Sequence, residues 1–158
     1  MQQNYKHLND LPANARVWVF PSTRFFSDKE VEEISARLDV FLFQWAAHGT
    51  PLMAKGHILF NRFLVVMLDE NQSGASGCSI DKLVHFTQDV EQKYTTSFTE
   101  RMRINYLEGN AIKDIHLNDI HEKLSPETQF FNHLVATKSD FENAWLTPIK
   151  GSWLERYV

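Results

Sequence analysis

The sequence predicts an α+β fold with a ferredoxin-like βαββαβ core, an antiparallel sheet and a mixed C-terminal extension. Three observations carry that prediction. Phe63-Leu64-Val65-Val66-Met67-Leu68 is apolar on both faces, as a central strand covered on each side must be. Amphipathic runs of helical period precede and follow it. The remaining strand-like segments then make residues 16–108 read β-α-β-β-α-β, the split βαβ order. At 158 residues the chain fits one domain, with 110–158 as an extension packed on the core.

Residues 1–15 are polar, with Leu8 and Leu11 as anchors and Pro12 as a breaker. Arg16-Val17-Trp18-Val19-Phe20-Pro21 is β-branched and aromatic and stops at a proline, so it is the first strand. Ser27-Asp28-Lys29-Glu30 has the spacing of a capping box. The helix it opens lines up Val31, Ile34, Leu38, Phe41, Leu42 and Trp45, and His48-Gly49 reads as its stop. Leu52 to Phe60 is the second strand, weakened by Gly56. Asn61-Arg62 turns into the third, Phe63 to Leu68. After a glycine-serine loop, Ile80, Leu83, Val84, Thr87, Val90 and Tyr94 fall at helical spacing. Met102 to Leu107 alternates as a fourth strand with one dry face, and Glu108-Gly109-Asn110 is a turn. Beyond it, Asn118 caps a short helix to Leu124, Thr128 to Val135 is a fifth strand, and Ser139 caps a helix bearing Phe141 and Trp145.

Composition narrows the function classes. Hydrophobic residues make up 43% of the chain, enough for a core, so disorder is excluded over most of it. A net charge of −4 lacks the basic footprint of a nucleic-acid binder. The third strand also lacks the glycine and repeated aromatics on which RNA-recognition domains stack bases. One cysteine allows no intramolecular disulfide and suits a reducing compartment. The stretch from Met1 to His7 has no apolar signal region, and Phe63 to Leu68 falls far short of the roughly 20 residues that span a bilayer. The expectation is a cytoplasmic protein with no membrane insertion.

The loop between the third strand and the second helix is the place where a site is expected. In a ferredoxin-like sheet of order 4-1-3-2, the end of the first helix and the start of the second share one sheet edge. That brings His48 toward Asp69, Glu70 and Cys78, with Arg16 arriving at the same edge. Cys78 at a helix start would have its thiolate favoured by free amides and the helix dipole, with His48 as base and Asp69 to orient it. The same helix start offers Gly77, Ser79, Ile80 and Asp81, with Arg16, as an anion-binding set. The structural alternative is that Ser79 or Asp81 caps the helix and Cys78 is a small buried hydrophobe. His116 and His121 are five apart and do not stack on one helix face; with no H-E-x-x-H and no cysteine pair, no metal and no cofactor are expected.

Leu68-Asp69-Glu70, Gly77-Cys78-Ser79-Ile80-Asp81, Ala15-Arg16-Val17-Trp18-Val19, Phe141-Glu142-Asn143 and Ser152-Trp153 together resemble a family of short bacterial proteins. These are uncharacterised and often carry the automatic label "ABC transporter ATPase". The resemblance spans most of the chain and implies no assigned activity. The label requires a phosphate loop, G-x-x-x-x-G-K-[ST], and Gly74-Ala75-Ser76-Gly77-Cys78-Ser79 has neither its spacing nor its lysine. The expected function is a non-catalytic binding or regulatory module that self-associates or takes a protein partner. The alternative is a small enzyme using a Cys78 thiolate with His48.

Overall fold

The computed structural model describes residues 10–158; the polar N-terminus with its Leu8 anchor lies outside the described residues. The architecture is mixed α+β, with antiparallel sheets. Strands β1 (Arg16–Pro21), β4 (Met53–Leu59) and β5 (Phe63–Asp69) form the first sheet, in the order β1-β5-β4. Helix α1 (Asp28–Gln44) joins β1 to β4, and α2 (Gly77–Tyr94) follows β5. These are five of the six elements of the expected core, with three of its four strands in one sheet. Ser27 caps α1 through the reciprocal box with Glu30.

The central strand alternates between two cores. Leu64, Val66 and Leu68 point into a cluster with Ile34, Leu38 and Leu42 of α1 and Leu83 and Val90 of α2. Phe63, Val65 and Met67 point the other way, onto Phe131, Val135, Phe141 and Trp145 of the C-terminal region. The two-sided apolar pattern therefore has its cause: one face takes the helices, the other takes chain that arrives much later. Gly56 belongs here as well. A Cβ on it would sit 2.7 Å from Leu38 Cδ2 and 3.0 Å from Leu42 Cδ1, so the glycine lets α1 lie close on β4.

Two expectations need correction. His48-Gly49 is not the stop of α1, which ends at Gln44 with Trp45 as its cap. It is the turn between the short strands β2 (Ala46–Ala47) and β3 (Thr50–Pro51). Both residues have positive φ, 50° and 79°, as a two-residue type I′ hairpin turn requires.

The fourth strand of the ferredoxin-like order is not beside β1. Strand β6 (Arg103–Glu108) belongs to a second antiparallel sheet, β7-β6-β8-β9, with β7 (Ala111–His116), β8 (Gln129–Phe131) and β9 (Leu146–Pro148). The edge of β1 is occupied by residues 136–138. The Val17 amide donates to the Ala136 carbonyl at 2.9 Å, Arg16 bridges Thr137, and the Lys138 amide donates to Ala15. Gly109, at φ 61°, makes the β6–β7 turn so tight that Ala111 returns directly along β6. Two helices close the second half: α3 (Ile120–Lys123), entered through a 3₁₀ turn capped by His116 rather than Asn118, and α4 (Lys138–Ala144), capped by Thr137 rather than Ser139. Ile104, Ile115, Ile120, Phe130, Ile149 and Leu154 form this sheet's own core.

Candidate functional site

The loop after β5 is folded onto its own side chains. Asp69 accepts the Asn71 amide at 3.0 Å. Glu70 accepts the Ala75 amide at 3.0 Å and lies 3.9 Å from the Arg16 guanidinium. Gly74 permits that fold, because a Cβ there would come within 2.8 Å of a Glu70 oxygen. Arg16 also lies over the Trp18 ring, at 4.7 Å. The cation expected to serve an anion site thus faces a carboxylate of the same loop.

The start of α2 is closed by serines. Ser76 is the cap, not Ser79 or Asp81. Its hydroxyl accepts the Ser79 amide at 3.1 Å, and the Ser79 hydroxyl accepts the Ser76 amide at 2.7 Å. Of the four amides a helix start leaves open, those two are taken, and Gly77 and Cys78 supply the other two. Ile80 donates to the Ser76 carbonyl within the helix. Asp81 is exposed. Cys78 lies inside the first turn and is exposed, so the buried-hydrophobe alternative does not describe it.

The topology does bring the predicted residues to one edge. The Trp45 indole N–H donates to the Ser79 carbonyl at 2.8 Å, which ties the end of α1 to the start of α2, and β2 packs against α2. His48 is exposed at the tip of its hairpin. Among the described residues no hydrogen bond or ion pair joins His48, Cys78 and Asp69. Nor does any group of three or more His, Cys, Asp or Glu gather to hold a metal ion.

Two features were missed in the sequence. The first is the outer edge of β4, which no described strand covers. A groove of about 520 Å³ runs beside it, lined by Asp39, Leu42, Phe43, Pro51, Met53 and Lys55 among others. Phe43 is 90% exposed and Met53 58%. The alternation of β4 could have pointed to this edge, because Lys55 and Gly56 interrupt it as they do in edge strands.

The second is the seam between the two sheets, organised by Arg62. Its side chain is buried, donating to the carbonyls of Ser22 and Thr23 at 3.0 and 3.2 Å and to Asp114 at 3.2 Å. Arg103 holds the other Asp114 oxygen, through its Nε at 2.5 Å. Burial works to raise the Asp114 carboxyl, but the hydrogen bonds and charges of Arg103 and Arg62 outweigh it and hold it below the usual carboxylate range. No signal in the sequence pairs Arg62 with Asp114, because their partnership exists only once the two sheets face each other.

No protein-family model, curated protein or solved structure matches this chain. No described helix is long and apolar enough to cross a membrane.

Proposed function

We propose that the protein is a non-catalytic binding module of the bacterial cytoplasm that associates with a second copy of itself through the β4 edge. The kinship with short bacterial proteins belongs to this reading and brings no activity with it. The observation that carries it is the open β4 edge beneath an almost fully exposed Phe43. An unpaired edge is a template for another strand, and β-strand addition is a common recognition mode. The surface is also self-complementary. It presents a projecting ring, Phe43, beside a groove able to receive one, and the groove's lining includes an acid, Asp39, and a base, Lys55, which also holds Asp10 at 2.5 Å. A two-fold dimer needs both halves of each pair on the same patch. By contrast, the glycine-serine loop spends its polar groups on its own folding.

Sedimentation of the wild type and of Phe43→Glu tests this. The expected result is a dimer that becomes a folded monomer in the variant. A wild type that stays monomeric at its highest soluble concentration would sink it.

The alternative, a small enzyme using Cys78 with His48, is favoured by one observation: the thiol is exposed in the first turn of α2. The rate of Cys78 alkylation against pH decides this point, since the chain has one thiol. A reaction titrating well below the free-thiol value of about 8.5 supports the enzyme. Titration near that value removes it.

A further inference from the structure

A cleft of about 480 Å³ lies where the two sheets meet the C-terminal region, a size within the range of small-molecule sites. Distant parts of the chain wall it. Val19 and Pro21 come from β1, Phe98 from the segment after α2, Leu117 from the 3₁₀ turn after β7, and Leu134 and Trp153 from the C-terminal region. Phe98 and Leu117 are buried and tethered. The Phe98 amide donates to the Glu91 carboxylate at 2.9 Å, and the Leu117 amide to the Met102 carbonyl at 2.8 Å. Leu134 is 61% exposed, so part of this apolar wall stands in water.

One polar side chain of this wall has no hydrogen bond or ion pair to another described residue: the half-buried His133 imidazole. Burial lowers its pKa, with no neighbouring charge or hydrogen bond contributing. The ring is therefore neutral at neutral pH and keeps one donor and one acceptor nitrogen. Its surroundings hold it in place. The Asn132 side-chain oxygen accepts both the Leu134 amide and the Trp153 indole N–H at 3.1 Å. That pins the residues on either side of His133 together with the indole, whose ring meets the imidazole edge-on at 6.3 Å. A group fixed in advance costs a ligand little ordering entropy. The charged residues of the lining, Glu100, Arg101 and Arg103, are exposed, where water screens them, and Arg103 is held by Asp114. The sheltered part of the wall is thus apolar and uncharged, which favours a neutral ligand over an ion.

We propose that this cleft binds a neutral nitrogen heteroaromatic ring, lying beside Trp153 and hydrogen-bonded along one edge to His133. The ring carries an N–H donor and a ring-nitrogen acceptor on that edge, as azaindoles and aminopurines do. Such an edge complements a neutral imidazole whichever of its nitrogens bears the proton. The rest of the ring replaces water against Phe98, Leu117 and Leu134. The site is separate from the β4 edge, so it stands or falls independently of self-association.

Calorimetric titration with 7-azaindole, benzimidazole and adenine tests it, with indene as a counterpart of similar shape that has neither donor nor acceptor. At least one of the three heterocycles is expected to bind, and indene about tenfold more weakly, the loss typical of a forfeited hydrogen bond. The bound ring should shift the NMR signals of the His133 imidazole and the Trp153 indole. His133→Phe should bring the heterocycle down to the affinity of indene and leave indene itself unaffected, a split that a merely structural role would not produce. Leu134→Ser, at an exposed position, should weaken heterocycle and indene alike by about threefold and leave the melting temperature unchanged. No binding by any of the three heterocycles overturns the proposal. So does indene binding as tightly as they do, or undiminished binding by His133→Phe. Should His133→Phe fail to fold, undiminished binding by Leu134→Ser is enough to overturn it, as are His133 signals that stay in place when a heterocycle binds the wild type.

Discussion

The two faces of β5 are equally dry, but they are closed in different ways. The face with Leu64, Val66 and Leu68 is covered by α1 and α2, the two helices that flank the β4–β5 hairpin in sequence. The face with Phe63, Val65 and Met67 is covered by Phe131, Val135, Phe141 and Trp145, more than sixty residues downstream. Both halves exclude water alike. They differ in whether the cover is written beside the strand. A helix announces its apolar face through its period. A patch assembled from a short strand, a loop and a two-turn helix announces nothing until it is in place.

If the faces are true equals, cutting into either costs the same. Phe63→Ala is expected to destabilise by about 3–5 kcal/mol and Leu64→Ala by about 2–5, measured by urea unfolding. A cheap Phe63→Ala would mean the late cover is loosely attached. The seam between the sheets comes next. Arg62→Met leaves two carbonyls without their donor and Asp114 with only Arg103, a loss of about 3 kcal/mol. If the two sheets unfold independently, that substitution should instead split the unfolding curve into two transitions.

On the helix side, Gly56→Ala forces a methyl against Leu38 and should cost about 1–3 kcal/mol, because α1 must lift from β4. Ser27→Ala removes the α1 cap for about 1 kcal/mol.

The smallest effect is one of pH. The Arg24 side chain and the Ser27 amide hold the Glu30 carboxyl down to about 2, from an ordinary value of 4.5. A depressed folded-state value means the contribution is whole above pH 4.5 and fades as the pH falls toward 2. Stability curves of wild type and Glu30→Gln should therefore differ at neutral pH and converge in acid. A constant gap across that range would show that Glu30 acts through packing.

Parts of the site and fold were legible for the same reason that α1 and α2 were. The Ser27–Glu30 box, strand β1 and the two-sided β5 each follow from neighbours in sequence. The approach of Arg16 to the loop after β5, and of the end of α1 to the start of α2, follows from the β1-α1-β4-β5-α2 part of the expected order, which the structure keeps although β6 does not join that sheet. The misreadings share a cause too. Ser79 and Ser76 are equally good caps on paper, and only the path of the loop around Glu70 selects Ser76. His48-Gly49 suits a helix end and a type I′ turn alike, and the pairing of Ala47 with Thr50 decides for the turn. Strand β6 had the right alternation but could not name its neighbours.

The sequence by itself determined the class of the fold, the three strands and two helices of the first layer, and the burial of β5 on both sides. These are set by local period, by caps and by the cost of exposing apolar side chains. Tertiary structure alone decided that residues 136–138 take the edge of β1, that β6 founds a second sheet, and that Arg62, Arg103, Asn105 and Asp114 meet. Those contacts join residues tens of positions apart, and their energy exists only when both partners have been brought out of water together.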